Sequence, residues 1–146
     1  MKSCFYQYRK GLFEKLGTLG YNVYQHPPKN AVKPYILIGG MNAVPQVDNT
    51  VYSQEVTTEI HVVNEYFGDQ ASNNSADTIM NEVMQLLISM GRDAAERSAA
   101  IEMDDFEMTP NQLVSLADEV TFDDVHKEVR LILNITAIID QKLDVS

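Results

Sequence analysis

Apolar residues recur at Phe5, Tyr8, Leu12, Leu16 and Leu19, the spacing of one helical face, and Gly20 follows where a helix end favours glycine. The spacing predicts an amphipathic helix over residues 3–19. Residues 22–25 form a short strand candidate. His26-Pro27-Pro28-Lys29-Asn30 then imposes a loop, because paired prolines cannot continue a hydrogen-bonded ladder. The apolar run over residues 34–41 opens on Pro34, which suits the first position of a strand buried on both faces. Within it, Gly39-Gly40 marks a bulge or a close backbone approach.

From Tyr52 to Tyr66 the chain alternates. Tyr52, Val56, Thr58, Ile60, Val62 and Tyr66 share one face, broken by Gln54 and Asn64. Ser53, Glu55, Thr57, Glu59, His61 and Glu65 share the other, with Val63 as the exception. Period two with β-branched enrichment predicts a strand. Fifteen residues at about 3.3 Å each reach roughly 50 Å, whereas a domain of this size has a radius of gyration of only about 15 Å. Such a strand must bend or project. The last segment repeats the pattern: Val129, Leu131, Leu133, Ile135, Ala137 and Ile139 lie opposite Glu128, Arg130, Ile132, Asn134, Thr136 and Asp140.

Between the two strands, Ser75 reads as an N-cap and Asp77 complements the helix dipole. Ile79, Met80, Val83, Leu86, Leu87 and Met90 make a wide apolar stripe that ends at Gly91. Residues 92–105 have helix-forming composition without an apolar face, so a loop or short extra helix is expected there. Phe106-Glu107-Met108 is a strand candidate. Thr109-Pro110 with Leu113, Leu116, Ala117 and Val120 reads as a capped helix. The same stretch, taken with Phe122, also reads as one side of a hairpin turning at Asp123-Asp124. The order of elements predicts an α+β fold: a mainly antiparallel sheet with two amphipathic helices on one face and long strands or a hairpin projecting for inter-subunit contacts.

Length and charge narrow the function. At 146 residues the chain is expected to form one domain, 1–146, large enough to hold a core without a metal or disulfide staple. Eleven Lys and Arg against 21 Asp and Glu give a net charge of −10, which argues against gripping a nucleic-acid backbone or an anionic membrane. Cys4 is the one cysteine, so no internal disulfide forms, and it is expected to be a small packing residue on a helix. The amino terminus lacks a signal-peptide apolar region, and the richest apolar stretch, residues 131–139, is interrupted by Asn134 and Thr136. A soluble protein made in a reducing cytoplasm is expected.

The search for chemistry returns structural readings. His26, His61 and His126 lack metal-ligand spacing, and Asp123-Asp124-Val125-His126-Lys127-Glu128 lacks the glycine and alternating ligands of a calcium loop. Glu102, Asp104, Asp105 and Glu107 read as a solvated acidic edge. Gly39-Gly40 has no phosphate-loop context, and the methionines, such as Met80, Met84 and Met90, sit at helical core positions. No catalytic residue, cofactor or metal is predicted, and the chain is expected not to be an enzyme.

Architecture remains. Two over-long strands are expected to carry backbone edges beyond the domain body, and unpaired edges invite uncontrolled sheet addition. Closing them into a symmetric oligomer is the safe solution. The expected inter-subunit contacts are Glu55, Thr57, Glu59, His61 and Glu65 on the first long strand and Arg130, Ile132 and Asn134 on the last.

The helix, the proline loop, the phrase Lys33-Pro34-Tyr35-Ile36-Leu37-Ile38-Gly39-Gly40, and the run Thr57-Thr58-Glu59-Ile60-His61-Val62-Val63-Asn64-Glu65-Tyr66-Phe67-Gly68 come in a recognisable order. With a second helix near Ala76 and a hairpin around Asp123-Asp124-Val125-His126, the chain resembles the tail-completion or tail-terminator proteins of tailed bacteriophages. The insert at residues 92–110 and the length of the last strand depart from that pattern. The resemblance implies a homo-oligomeric ring, six-fold or, in a neck variant, twelve-fold, that caps the tail tube and joins it to the connector on the portal side. It implies a virion protein of the tail or neck, made in the host cytoplasm, with DNA passing through the lumen without specific binding. It also tips residues 113–122 towards strand. A small oligomeric accessory or ligand-binding domain of a cellular complex is the alternative. In a ring, acidic residues on the bore would repel the phosphates of passing DNA.

Overall fold

The computed structural model describes residues 3–46, 53–67, 74–88, 101, 103–109, 111–122 and 126–141. Helix α1 (Phe5–Gly17) buries Tyr8, Leu12 and Leu16, one per turn. It stops two residues before the predicted end. Thr18 closes it through backbone bonds to Lys15 and Leu16, and Gly20 adopts φ +88°, the left-handed conformation that glycine accepts without strain. Cys4 is buried just before the helix, where its thiol serves as packing, as expected.

Strands β1 (Asn22–Tyr24) and β2 (Tyr35–Gln46) pair in parallel for three residues. Strand β3 (Ser53–Phe67) pairs antiparallel with β2, and helix α2 (Asn74–Leu87) follows. The helix begins at Asn74, one residue before the Ser75 expected as its N-cap. Ala76, Ile79, Met80, Val83 and Leu87 form its buried stripe. Strands β4 (Phe106–Met108), β5 (Gln112–Phe122) and β6 (His126–Gln141) complete the chain. Thr109 and the residues after it therefore lead into a strand, which decides between the helix and hairpin readings. The predicted turn at Asp123-Asp124, the helix end at Gly91 and the stretch over residues 92–100 lie outside the described residues.

The sheet runs β1-β2-β3-β6-β4, and β5 pairs with β6 on the same side as β4. One pair is parallel and the rest are antiparallel, which with the two helices makes the α+β fold. Pairing of β3 with β6 is continuous from Ser53–Asp140 to Phe67–His126. Even-numbered β3 residues and odd-numbered β6 residues face the helices. Val56, Ile60, Val62, Leu133 and Ile135 meet α1 and α2 there in one apolar cluster.

The expectation that β3 and β6 carry open edges fails here. Each lies at the sheet centre with a partner on both sides, so their length is absorbed by mutual pairing. The open edges belong elsewhere. Strand β5 pairs only with β6, and beyond Leu37 β2 has no outer partner among the described residues. Register shifts between Ile38 and Met41 and between Leu113 and Ser115 are bulges, which bend strands. The first of them is the bulge expected at Gly39-Gly40.

Candidate functional site

The eight residues expected to make inter-subunit contacts share the sheet face opposite the helices. Across the β3–β6 ladder Glu55 stands opposite Ile138, Thr57 opposite Thr136, Glu59 opposite Asn134, His61 opposite Ile132, Val63 opposite Arg130 and Glu65 opposite Glu128. Strict alternation puts them there: an apolar even-numbered β3 face drives every odd-numbered side chain to the other side.

Two polar groups form on this face. At its centre Arg130 Nη1 lies 3.1 Å from His61 Nδ1. Arginine has only donors, so Nδ1 accepts, and the proton of a neutral imidazole sits on Nε2, 3.5 Å from Glu59 Oε2. Gly39 makes room for this ring. A Cβ at Gly39 would lie 3.0 Å from His61 Nε2 and 3.2 Å from Glu59 Cβ and its carbonyl oxygen. At one end Lys33 Nζ donates to Glu128 at 2.9 Å and to Glu65 at 3.2 Å, while His126 Nε2 lies 2.7 Å from Glu65 Oε2. Partial burial pushes the Glu65 carboxyl up, but the bonds from His126 and Lys33 and their charge outweigh it, and the net shift is downward. Burial lowers Lys33, and its bonds to Glu128 and Glu65 raise it further than burial lowers it. Asn134 Nδ2 donates to Ser115 Oγ at 2.9 Å and ties this face to β5.

The central group is a hydrogen-bonded Arg–His–Glu chain, and the group at the end is a set of ion pairs around Lys33. Among the described residues no group of three or more His, Cys, Asp or Glu side chains could hold a metal. Of the predicted acidic edge, Asp105 accepts from Gln7 Nε2 at 2.8 Å while its own backbone N–H donates to Gln7 Oε1 at 3.1 Å, so it anchors the chain to α1.

Strand β5, one side of the hairpin expected to project for inter-subunit contacts, holds none of the eight residues named for them. All eleven of its residues are exposed. Leu113, Leu116, Val120 and Phe122 continue the helix-side face of β6, opposite Ile135, Leu133, Val129 and Lys127, yet they are 37–74% exposed. Lys127 Nζ lies 5.8 Å from the Phe122 ring centre. The signal was present as apolar residues at 113, 116, 120 and 122 between polar ones, but the same spacing also fits a helix. At the opposite edge a hollow of about 320 Å³ is lined by Arg9, Gln25, His26, Leu37, Ile38, Gly39 and Gly40. Arg9, one of these lining residues, has its Nε buried with no hydrogen-bond partner. Nothing in the sequence marks Arg9 beyond its place on a helix surface.

The family model described as Tail completion protein gp17 matches residues 15–138. A solved structure, titled "Virion of native gene transfer agent (GTA) particle", shares the fold with a TM-score of 0.72 at 14% identity, covering 96% of this chain and 99% of that chain. No curated protein matches the sequence.

Proposed function

This chain belongs to the tail completion protein gp17 family, and from that premise we propose that it assembles into a homo-oligomeric ring at the head–tail junction. Its role is structural and tail-associated, in the virion. The proposed ring is six-fold, with a twelve-fold neck ring as the variant. It completes or terminates the tail, joins it to the connector and portal-side proteins, and leaves a lumen for DNA. Residues 1–146 act as one domain in it.

Strand β5 carries this reading. An eleven-residue strand with both faces and one edge uncovered, rich in Leu and Val, is a template for strand addition. A closed symmetric assembly covers such edges without leaving new ones. The helix-free sheet face supports the second half of the reading. Glu55, Glu59, Glu65, Glu128 and Asp140 project on it against Arg130 and the Lys33 ammonium, so a ring lined by this net acidic face repels phosphate over roughly the 8 Å Debye length of physiological salt. The residues 55, 57, 59, 61, 65, 130, 132 and 134 then act in packing neighbours or lining the wall, and none acts in catalysis.

Native mass spectrometry and negative-stain microscopy of the purified protein test this. A ring of defined stoichiometry, alone or on tail tubes, is the expected result. A monomer under both conditions overturns it.

A further inference from the structure

We propose that Arg9 of one copy receives the Asp118 carboxylate of a second copy, whose β5 edge lies along the β1–β2 edge of the first. The inference rests on the ring reading and specifies its interface.

The topology supplies both halves of the contact. Among the described residues the sheet is open at β5 on one side and at β1 and residues 39–46 of β2 on the other. Strand β2 runs antiparallel to β3, β3 to β6, and β6 to β5, so β5 runs antiparallel to β2. A second copy placed beside the first, with its helices on the same side, therefore presents its β5 antiparallel to the first copy's β2. No strand has to be inverted. The contact is head-to-tail, the class of interface whose repetition closes a ring.

Charge and face select the residues. Strand β5 carries Asp118 and Glu119, whereas residues 39–46 carry no charge. Pairing β5 with its own copy would bring these carboxylates towards each other, and pairing with β2 does not. Asp118 stands opposite Leu131 on the helix side of the sheet, and Glu119 stands opposite Arg130 on the other side. Arg9 belongs to α1, on the helix side, and lines the hollow; its Nε is buried without a hydrogen-bond partner. A buried donor of a charged group left unpaired costs more than an ordinary lost hydrogen bond, and a carboxylate is the geometry a guanidinium takes best. The levels also agree. Through the ladders Asp118 aligns with Leu131, Val62, Ile36 and, on the outer strand β1, Val23, two residues from Gln25 at the rim of the hollow. Two residues are about 7 Å along a strand, within the reach of a small stagger and an arginine side chain.

Full-length variants in native mass spectrometry test the pairing, with circular dichroism melting as the folding control. Asp118→Arg is expected to lower the ring fraction at least tenfold while the protomer melts as the wild type does. Glu119→Arg, on the other face of the same strand, is expected to keep the ring. Arg9→Glu is expected to lose it, and Arg9→Glu combined with Asp118→Arg to restore it. If Arg9→Glu does not fold, the contrast between Asp118→Arg and Glu119→Arg decides. Rings of Asp118→Arg at the wild-type level, or a dimer joined through β5 alone, overturn the proposal and leave the ring reading standing only in the first case. A wild type that stays monomeric alone and with tail tubes overturns both.

Discussion

The Tyr8 hydroxyl donates a 2.8 Å hydrogen bond to Asn111 Oδ1, and Asn111 Nδ2 in turn donates to the Leu87 carbonyl at 3.0 Å. Both side chains are buried. Three separate elements meet in this pair: the middle of α1, the end of α2, and the junction between β4 and β5. The pair fixes the point at which β5 leaves the body. Tyr8→Phe keeps the ring packed but leaves Asn111 Oδ1 buried without a donor. The expected cost is about 1–3 kcal/mol, which at this chain length lowers the melting temperature by about 2–4 °C per kcal/mol. A melting temperature equal to that of the wild type would show that the bond carries no net stability.

Gly39→Ala tests the bulge. The added Cβ meets His61 Nε2 at 3.0 Å and the Glu59 backbone carbonyl at 3.2 Å. The imidazole can turn away, but only by giving up its contact with Arg130, and the β3 carbonyl is held in the ladder. A loss of about 1–3 kcal/mol is expected, as for other overpacked sites. Gly40→Ala is the internal control. Its Cβ meets nothing within 4 Å, so the change should be neutral or stabilise by up to about 1 kcal/mol through the unfolded chain. Equal melting curves for the two variants would refute the close approach at Gly39.

Most of the elements were legible because their signal is local. Tyr8, Leu12 and Leu16, the α2 stripe, and the alternation through β3 and β6 each report their own burial through periodicity. The bulge at Gly39-Gly40 was legible for the same reason. Two features of the sheet were not. Leu113, Leu116, Ala117 and Val120 fit a helical stripe as well as a strand, and the choice is made by β6, which offers its free edge to them from later in the chain. The length of β3 suggested projection, because sequence does not reveal that β6 pairs with it from end to end and places it at the centre of the sheet. The face shared by Glu55, Thr57, Glu59, His61, Glu65, Arg130, Ile132 and Asn134 was readable from alternation. Arg9 was not, since its unpaired Nε exists only where α1 crosses the β2 edge.

Glu65 sets an acid limit on stability. Its folded carboxyl titrates below the ordinary value of 4.5, because the His126 and Lys33 contacts outweigh burial. The group therefore contributes stability that is present above the unfolded value and is lost as pH falls through the lower folded one. Lys33 is raised above 10.5, so its contribution is present below that value and fades as pH rises through the folded one. Melting temperature followed from pH 3 to pH 8 should show Glu65→Gln less stable than the wild type near neutrality, with the gap narrowing as pH falls below the ordinary value of 4.5. A gap of constant size across the series would exclude the ionic origin.

Leu116 and Leu133 stand opposite each other on the same face of the β5–β6 pair, but Leu133 is fully buried and Leu116 is 49% exposed. The same substitution should therefore act on two different properties. Leu133→Asp places a carboxylate in the apolar cluster, where an unpaired charge costs several kcal/mol against a total stability of about 5–15 kcal/mol. Loss of the folded protomer is expected, seen as a collapsed melting transition. Leu116→Asp sits on an open strand and should change protomer stability by no more than about 0.5 kcal/mol, as surface substitutions do. In the proposed ring, however, it puts a charge where a neighbour covers β5, so the assembled fraction should fall while the monomer stays folded. His61→Ala, on the other face, should leave assembly intact. Size-exclusion chromatography with light scattering, paired with thermal melting, separates the two effects. Intact assembly of Leu116→Asp would show that β5 is not covered by a neighbour, and the long exposed strand would then need another occupant.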